Sequence, residues 1–568
     1  MPRTTHSWSF RIKVDGAALA GDVDRTMVSA FVDDSRTLPD LFQLTFRDPD
    51  RTVIKNGRFR IGSKVEIAVV SPASPAGEKL LVGEVTALEA DFDSGGTMTV
   101  VRGYDPSHRL LRGRITETYA NVTYSDVATK VARRAGMQVG QVDSSSTVHD
   151  HVSQANQSDW EFLRELAGEI GYETGCFDGK FQFRKPPESA QGPPKGTLTS
   201  PGLLELTLGA NLLRLRATVT AAEQVKQVEV RGWDAKQKKE VVATAPAKTS
   251  SAAVGVRPGE LASRFESGDY VSVATPYTTQ SQVEAAAKAV AEQLGGAFAE
   301  LDGVARGNPK LRAGTAVSLA LVGEPFDGRY VLTSTRHLYD PDDGYTVWFT
   351  VSGRQDRTLL GLAAPPAGSS LRSSPFAGVA SAIVTDVDDP DDLGRVKVKF
   401  PWLSGKYSSD WARTVQAGAG DQRGAVVLPE VNDEVLVAFD RGDVDRPIVV
   451  GGLYNGVDKP MLGDGLIDGA TGSVKRRGFV SKEGHMLVFL DDRSKSGVLL
   501  ATANKGLRIA LNDTETTIRV TSKGKVEIES GTDLTITAKG SLALKASTGI
   551  KIDGGPQVEI KGSVVKLN

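Results

Sequence analysis

Across the first hundred residues, apolar and polar positions alternate with period two. Trp8, Phe10, Ile12 and Val14 share one face, as do Phe42, Leu44 and Phe46, and then Val65, Ile67 and Val69. Turn signals of the "DG", "NG" and "SGG" kind separate these runs, which is the pattern of an antiparallel sheet or barrel. Residues 1–110 are therefore predicted to form a first β-barrel. The period then lengthens. "YSDVATKVARRAG" opens on Ser and Asp and stops at Gly, and "QSDWEFLRELAGEIG" repeats that punctuation with Trp160, Leu163 and Leu166 on one side. These are the helices of an α/β insertion over 111–195, closed by the connector "KPPESAQGPPKG". A second strand set, 196–360, encloses the Ala-rich helical segment "QSQVEAAAKAVAEQLG". It echoes the first set: Gly62, Val65 and Ile67 match Gly314, Val317 and Leu319, and runs ending at Gly103 and Gly353 also correspond. This is a faint internal duplication. A trimer of such chains would display six similar units.

A linker, "GLAAPPAGSSLRSSPFAG" (361–378), leads to a compact β segment at 379–455. Its strand "LGRVKVKFPWL" alternates Val396, Val398 and Phe400 with Arg395, Lys397 and Lys399, one face apolar and the other basic. A neck follows at 456–497, and then, over 498–568, the most regular part of the chain. Here apolar pairs recur every eight residues: Ile518 and Val520, Val526 and Ile528, Leu534 and Ile536, Leu542 and Leu544, Ile550 and Ile552, Val558 and Ile560. Glycines at 524, 531, 540, 549 and 554 mark corners, so each octad reads as one short strand and one turn.

Two interiors fit the octads. Three repeats per turn close a triangular coil within one chain, but six repeats make only about two turns and leave both ends open. Alternatively, three chains wind together, each giving one edge per layer, in a prism roughly 30 Å long at about 4.8 Å per layer. Each aliphatic side chain contributes roughly 1.5–3 kcal/mol if fully buried, before ordering entropy is subtracted. The trimer buries nearly all of them, and it is the favoured arrangement.

Composition narrows the function classes. Formal charge is −2 and 40% of residues are hydrophobic, which argues against a polyanion binder and against disorder. The one cysteine, Cys176, cannot form an intrachain disulfide. "MPRTTHSWSF" lacks a signal-peptide core, and no stretch approaches the roughly 20 apolar residues of a membrane span. Synthesis in the cytoplasm is expected; if the chain leaves the cell, it leaves by another route.

Taken in order, "LGRVKVKFPWLSGKYSSDWARTVQ", "NDEVLVAFDRGDVDRPIVVGGLYNG", the "EGHMLVFLDD" neck and the octad tail resemble VgrG spike proteins. The same modules occur in the spikes of contractile phage tails and extracellular contractile injection systems. The N-terminal half resembles the phage late-control D hub through "GYDPSHRLLRGR", "NVTYSDVATKVA" and "QANQSDWEFL", and reads closer to the phage and extracellular type than to type VI secretion. The resemblance implies a mainly β homotrimer: two hub barrels with small helical insertions, an OB-fold and an intertwined triple-stranded β-helix. It implies a hexameric inner tube and baseplate hub proteins as partners of the N-terminal half, and transient contact with a target membrane. Gly394, Arg395, Val396, Val398, Phe400, Pro401, Trp402 and Trp411 carry the OB-fold family motif.

Chemistry-bearing alternatives are weaker. OB-folds bind nucleic acid through a basic groove with exposed aromatics, but Phe400 lies on the apolar face and "DVDDPDDLG" and "FDRGDVDRP" nearby are acidic. No nucleic-acid partner is expected. Counted as a calcium loop from Asp386, the twelfth position is Lys397 rather than Glu, so a hairpin turn is the better reading. His149 and His151 lack a third ligand in view, and His337 and His485 stand alone. No nucleophile elbow or phosphate loop occurs, so no catalytic residue, cofactor or metal is assigned. An enzyme-bearing spike requires a sheltered carboxylate pair in the hub, and a glycan-binding solenoid requires aromatic ladders that 498–568 lack. The last step, to Val565 and Leu567, is seven residues instead of eight, and the flat triangular end it implies needs a cover. A PAAR-type tip protein is expected there, on Val564, Val565, Leu567 and Asn568.

One prediction rests on the octads alone. Ile536→Asp or Leu544→Asp places three like charges in one layer of a trimeric core and is expected to prevent assembly. Normal trimer mass in light scattering for either variant refutes the stacked core.

Overall fold

In the computed structural model the described residues are 8–71, 74–194, 202–234, 237–265, 268–273, 275, 277–340, 344–353, 378–403, 408–440, 446–460, 465–492 and 495–566. The chain divides into two units, Met1–Lys459 and Pro460–Asn568. All but Gly378 of the predicted linker lies outside the described residues.

The period-two runs form strands as their alternation dictates. In the first half these are β1 (Ser9–Val14), β2 (Ala17–Ala18), β3 (Met27–Ser35), β4 (Leu41–Arg47), β5 (Lys64–Ser71), β6 (Ser74–Asp93) and β7 (Gly96–Tyr104). The second half contributes β8 (Leu212–Val219), β9 (Ala299–Arg306), β10 (Ser334–Asp340) and β11 (Gly344–Val351). All eleven join one sheet in the order β8-β9-β11-β10-β3-β4-β7-β6-β5-β1-β2. The two halves, expected as two barrels, thus share a sheet through β10 and β3, which pair antiparallel from Ser334 against Ser35 to Tyr339 against Ala30. They share a core as well, with Phe42, Phe46 and Ile67 from one half and Val317, Tyr330 and Phe349 from the other.

The duplication is visible in this order. Each half supplies two strands and then a hairpin whose second arm lies inside its first: β3-β4-β7-β6 in one, β8-β9-β11-β10 in the other. Each quartet also sets a Phe directly across from a Gly, Phe42 opposite Gly103 and Phe349 opposite Gly303. A side chain at either glycine would collide with that ring, so the pair exists because one partner has no Cβ.

The helices begin where the sequence marks them. α1 (Tyr124–Arg134), α2 (Asp159–Glu169) and α3 (Gln280–Gly296) each start with a reciprocal capping box, from Thr123, Ser158 and Thr279 respectively. α3 lays Ala286, Ala287 and Ala291 against the hairpin Gln227–Asp234 and Lys239–Pro246. The segment from 379 folds as a small five-stranded sheet around Val384, Val396, Val398, Phe400, Val435 and Val437.

In the second unit five strands form an antiparallel meander: β12 (Arg476–Val480), β13 (Met486–Asp492), β14 (Lys495–Ala501), β15 (Leu507–Asn512) and β16 (Thr517–Ser522). The meander runs through the expected neck–needle boundary at 497/498 and takes in Ile518 and Val520. Among the described residues after it, 523–566, there is no helix or strand.

A buried ionic cluster ties the first unit together. Arg312, 6% exposed, donates through Nε to Asp34, through Nη1 to the Lys79 carbonyl at 3.2 Å, and sits 4.9 Å from the Phe177 ring centre. Asp40 and Asp105 are buried beside it, and Asp105 caps the turn that follows β7 by accepting from the Ser107 N–H at 2.8 Å. Burial, together with the charges of Asp34 and Asp105, holds Asp40 well above the usual carboxylate range, and burial lifts Asp105 to about 6. His337, also buried and hydrogen-bonded to the Tyr345 hydroxyl at 2.7 Å, is pushed down to about 3 by burial and the Arg312 charge, so it is neutral.

Folded Asp105 therefore keeps its proton between its ordinary value of 3.8 and about 6, where the unfolded chain has released it. Stability falls as pH rises through that window. Asp105→Asn keeps the capping oxygen and is expected to remove much of the slope, up to roughly 3 kcal/mol between pH 4 and 7. Urea unfolding at the two pH values checks this; an unchanged slope means that Asp105 does not titrate with folding.

Candidate functional site

Among the described residues no reactive constellation emerges, and the features that ask for a partner are edges and faces. The first is in the shared sheet. β6 pairs with β5 up to Glu84, Val85 is held by the backbone of Gly62 and Ser63, and beyond it residues 86–93 have β7 on one side and no strand on the other among the described residues. β8 closes the opposite end of the sheet and pairs only with β9. Both edges are charged, with opposite sign: Glu89 and Asp91 on β6, Arg214 and Arg216 on β8, all exposed. Each also presents an apolar side chain, Phe92 at 61% exposure and Leu213 at 51%. The internal junction uses the same chemistry, since Arg336 on β10 binds Asp33 on β3 through Nη2 and Oδ2 at 2.7 Å while lying 4.7 Å from the Phe31 ring centre.

The second feature is the strand "LGRVKVKFPWL". Val396, Val398 and Phe400 are fully buried. Two of the three basic side chains on this strand are neutralised locally. Arg395 reaches Asp389 at 2.6 Å and also contacts Asp391, and it holds the Asp389 carboxyl far below the usual range. Lys397 lies 3.8 Å from Asp386 and 4.6 Å from the Trp411 ring centre. The acidic stretch is thus a turn that closes on its own arginine. Gly394 takes a left-handed φ of +69°, with Leu428 against it, which explains a glycine there.

Of the rest of the motif, Trp402 bonds within the OB segment and Pro401 reaches the hub. Trp402 is half-buried and donates to the Ser381 carbonyl at 2.9 Å. The Pro401 carbonyl accepts from Arg231 Nε at 3.1 Å, and Trp233 donates to buried Glu434 at 2.7 Å. Lys238 adds an ion pair to Asp458. Arg231 and Trp233 belong to the hub hairpin and were not read from sequence, because their partners lie 170 and 201 residues away.

The third feature is the tail. Ile518, Val520, Val526, Ile528, Leu534, Ile536, Leu542, Leu544, Ile550, Ile552, Val558 and Ile560 are 53–74% exposed in the single chain. Val564 and Val565 are exposed too, while Leu567 and Asn568 lie outside the described residues.

Other candidates reduce to structure. His149 stacks on Tyr124 with ring centres 4.2 Å apart, and the side chain of His151 lies outside the described residues. Burial pushes the Cys176 thiol far up, away from reactivity. The hub's carboxylates Asp34, Asp40 and Asp105 are buried and bonded to Arg312, Ser107 and backbone amides. Among the described residues no group of three His, Cys, Asp or Glu side chains has metal-binding geometry, and no helix is long and apolar enough to cross a membrane.

Comparison with known proteins fits this architecture. Residues 41–340, more than half of the chain, match the Alg8 N-terminal domain. The chain belongs to that family. Residues 380–454 match the type VI secretion system/phage-baseplate injector OB domain. The chain is VgrG-like: it is 36% identical to the type VI secretion system spike protein VgrG3 of Vibrio cholerae over 119 residues, 20% of this chain and 12% of the relative. The actin cross-linking toxin VgrG1 of V. cholerae is 34% identical over 145 residues, 25% of this chain and 13% of the toxin. The chain thus spans about an eighth of the length of these relatives. Among solved structures, the 43 kDa tail protein of prophage MuSo2 from Shewanella oneidensis aligns over 61% of this chain and 98% of its own, with a TM-score of 0.44 and 15% identity.

Arg231 is the load point between hub and OB domain. Its guanidinium is almost fully buried and bonds Glu229 at 2.7 Å as well as Glu240 and Pro401. Arg231→Ala is expected to destabilise the first unit by about 3 kcal/mol in urea unfolding, because it strands a buried carbonyl and two carboxylates. A loss below about 1 kcal/mol means that the two domains are held by other contacts.

Proposed function

We propose that this chain is the structural, non-enzymatic spike and hub of a contractile, phage-tail-like injection particle, working as a homotrimer. What carries the reading is the sheet order of the hub. The two quartets are already joined once, β10 of one half to β3 of the other. The unpaired positions that remain are their counterparts, β8 and the outer half of β6. If β6 of one copy pairs with β8 of the next, the internal junction is repeated between chains. Six similar quartets then alternate around a ring of three copies, a quasi-six-fold surface suited to a hexameric inner tube. Glu89 and Asp91 meet Arg214 and Arg216 across that junction, and like charges are kept apart.

The tail supports the same copy number. A coil closed within one chain pairs each octad with the octad three repeats later, and no such pair occurs among the described residues. Twelve exposed aliphatic side chains at fixed spacing call for burial, and two further chains supply it. In this assembly the OB domain forms a collar, the octads form the needle, and a PAAR-type tip protein covers Val564, Val565, Leu567 and Asn568. Baseplate hub proteins surround the N-terminal half. Contraction drives the needle through a target envelope, so the contact with membrane is transient and mechanical. The chain is made in the bacterial cytoplasm and acts after incorporation into the particle.

Light scattering of the full chain tests the copy number: a mass of about three times 60.4 kDa is expected, and a monomer with an ordered tail overturns the reading. Hydrogen exchange tests the ring. Glu89→Arg with Asp91→Arg is expected to speed exchange of the 212–219 amides. Adding Arg214→Glu and Arg216→Glu is expected to slow it again, since the pairs are restored with sign reversed. No change in either variant rules out the β6–β8 junction.

A further inference from the structure

We infer that the interior of the needle begins at the meander, about forty residues before the first octad, and that its occupants are the same sheets of two further copies of this chain. The inference rests on the trimer proposed above and names the surface on which that trimer is built.

The observation is the register. Directly opposed residues on antiparallel strands share a face, and so do residues two apart on one strand. One row across the five strands runs Phe479, Leu487, Leu500, Ile509, Val520. The adjacent row on that face runs Arg477, Phe489, Val498, Leu511, Ile518. Nine of these ten side chains are apolar, and the tenth, Arg477, is neutralised on the same face by Asp491. The opposite face differs. It carries Arg508, Arg519 and Thr521; of its apolar members Val488 and Ala501 are buried, at 3% and 5% exposure, Met486, Leu490 and Leu499 are half-buried, and Val480 is 43% exposed. The apolar face is the more exposed one: Phe479 is 64% exposed, Leu500 53%, Ile518 74% and Val520 61%.

Its size matters. Seven of its nine apolar side chains, Phe479, Phe489, Leu500, Ile509, Leu511, Ile518 and Val520, are more than 40% exposed, a contiguous patch of the kind that marks a protein–protein contact.

Its position identifies the occupant. Ile518 and Val520 close both rows of the meander and are also the first octad pair, so the face runs directly into the side of the tail that the octads turn inward. A covering that served the octads but not this face would have to end within a single strand. Three copies of the sheet, packed face to face about one axis, cover both. A different protein seated on the meander would have to stop where the second and third copies begin.

Thiol accessibility in the full-length protein tests this. Leu500→Cys and Ile509→Cys sit on the apolar face, and Arg519→Cys sits on the other, with the unsubstituted chain as the blank for Cys176. At trimer mass, maleimide is expected to modify the first two about tenfold or more slowly than the third, because access then requires opening the assembly. Loss of trimer mass in Leu500→Cys but not in Arg519→Cys also supports the inference. Trimer mass with all three thiols equally fast overturns it and leaves the octad trimer standing. Monomer mass for the unsubstituted chain overturns the trimer itself, and this inference with it.

Discussion

A strand edge without a neighbour is the constraint on which this protein is built. Backbone N–H and C=O groups demand partners, and an unpaired edge or bare apolar face is a template for whatever can complete it. Small β proteins usually protect such features with charge, proline or a covering helix. This chain leaves three of them open: the charged edges of β8 and of the outer half of β6 in the hub sheet, the apolar face of the meander and the octad tail. Their chemistry is not random. The hub edges carry opposite charge, and the meander face leads into the tail through two residues they hold in common.

Within the first unit, long-range polar contacts hold those edges in place. Arg312 is fixed by Asp34, 278 residues away, beside the junction where β10 meets β3. Arg231 and Trp233 bind the OB domain's Pro401 and Glu434 in the same manner. These groups are buried, so a lost partner is costly, and the geometry of each open edge is set from behind. Asp40 and Asp105 are the sheltered carboxylates that an enzymatic hub would require, yet their neighbours are Arg312, Ser107 and backbone amides. They serve cohesion.

Much of this was legible in the residues, for a reason that also marks where legibility stopped. Period-two alternation reports which side of a strand is covered, so the buried Val396, Val398 and Phe400 were readable directly. The octads were readable because spacing alone defines them. The Ser158 start of α2 was readable from local chemistry, whereas the cap of α1 is Thr123, two residues before the Ser125 start read there. Sheet order does not. Nothing near Phe31 says that β3 will lie beside β10, three hundred residues later, so the strand pairing that joins the two hub halves was not legible. The same limit hid the edges. Glu89 and Asp91 look like ordinary solvated acids until β6 is known to lack a neighbour there. The division between neck and needle failed to show the meander for a subtler reason. Ile518 and Val520 satisfy the strand alternation of the meander and the spacing of the octads equally, and a pattern that fits both cannot locate the point of transition.

That double fit has a mechanical meaning in the proposed assembly. A needle that transmits thrust fails at its weakest joint, and a joint between two separately covered modules is a natural place for failure. If the sheet and the octads share one interior, no such joint exists between them. The layer containing Ile518 and Val520 belongs to both, and axial load passes from sheet to prism through backbone hydrogen bonds and continuous apolar packing. The hub obeys the same logic in the plane of the ring. In the proposed ring the junction between chains would use strands equivalent to those joined within a chain and the same kind of ion pair, so load would not concentrate at the boundaries between copies. In both places such an assembly would avoid a weak seam by making the contact between copies the same in kind as the contact within one.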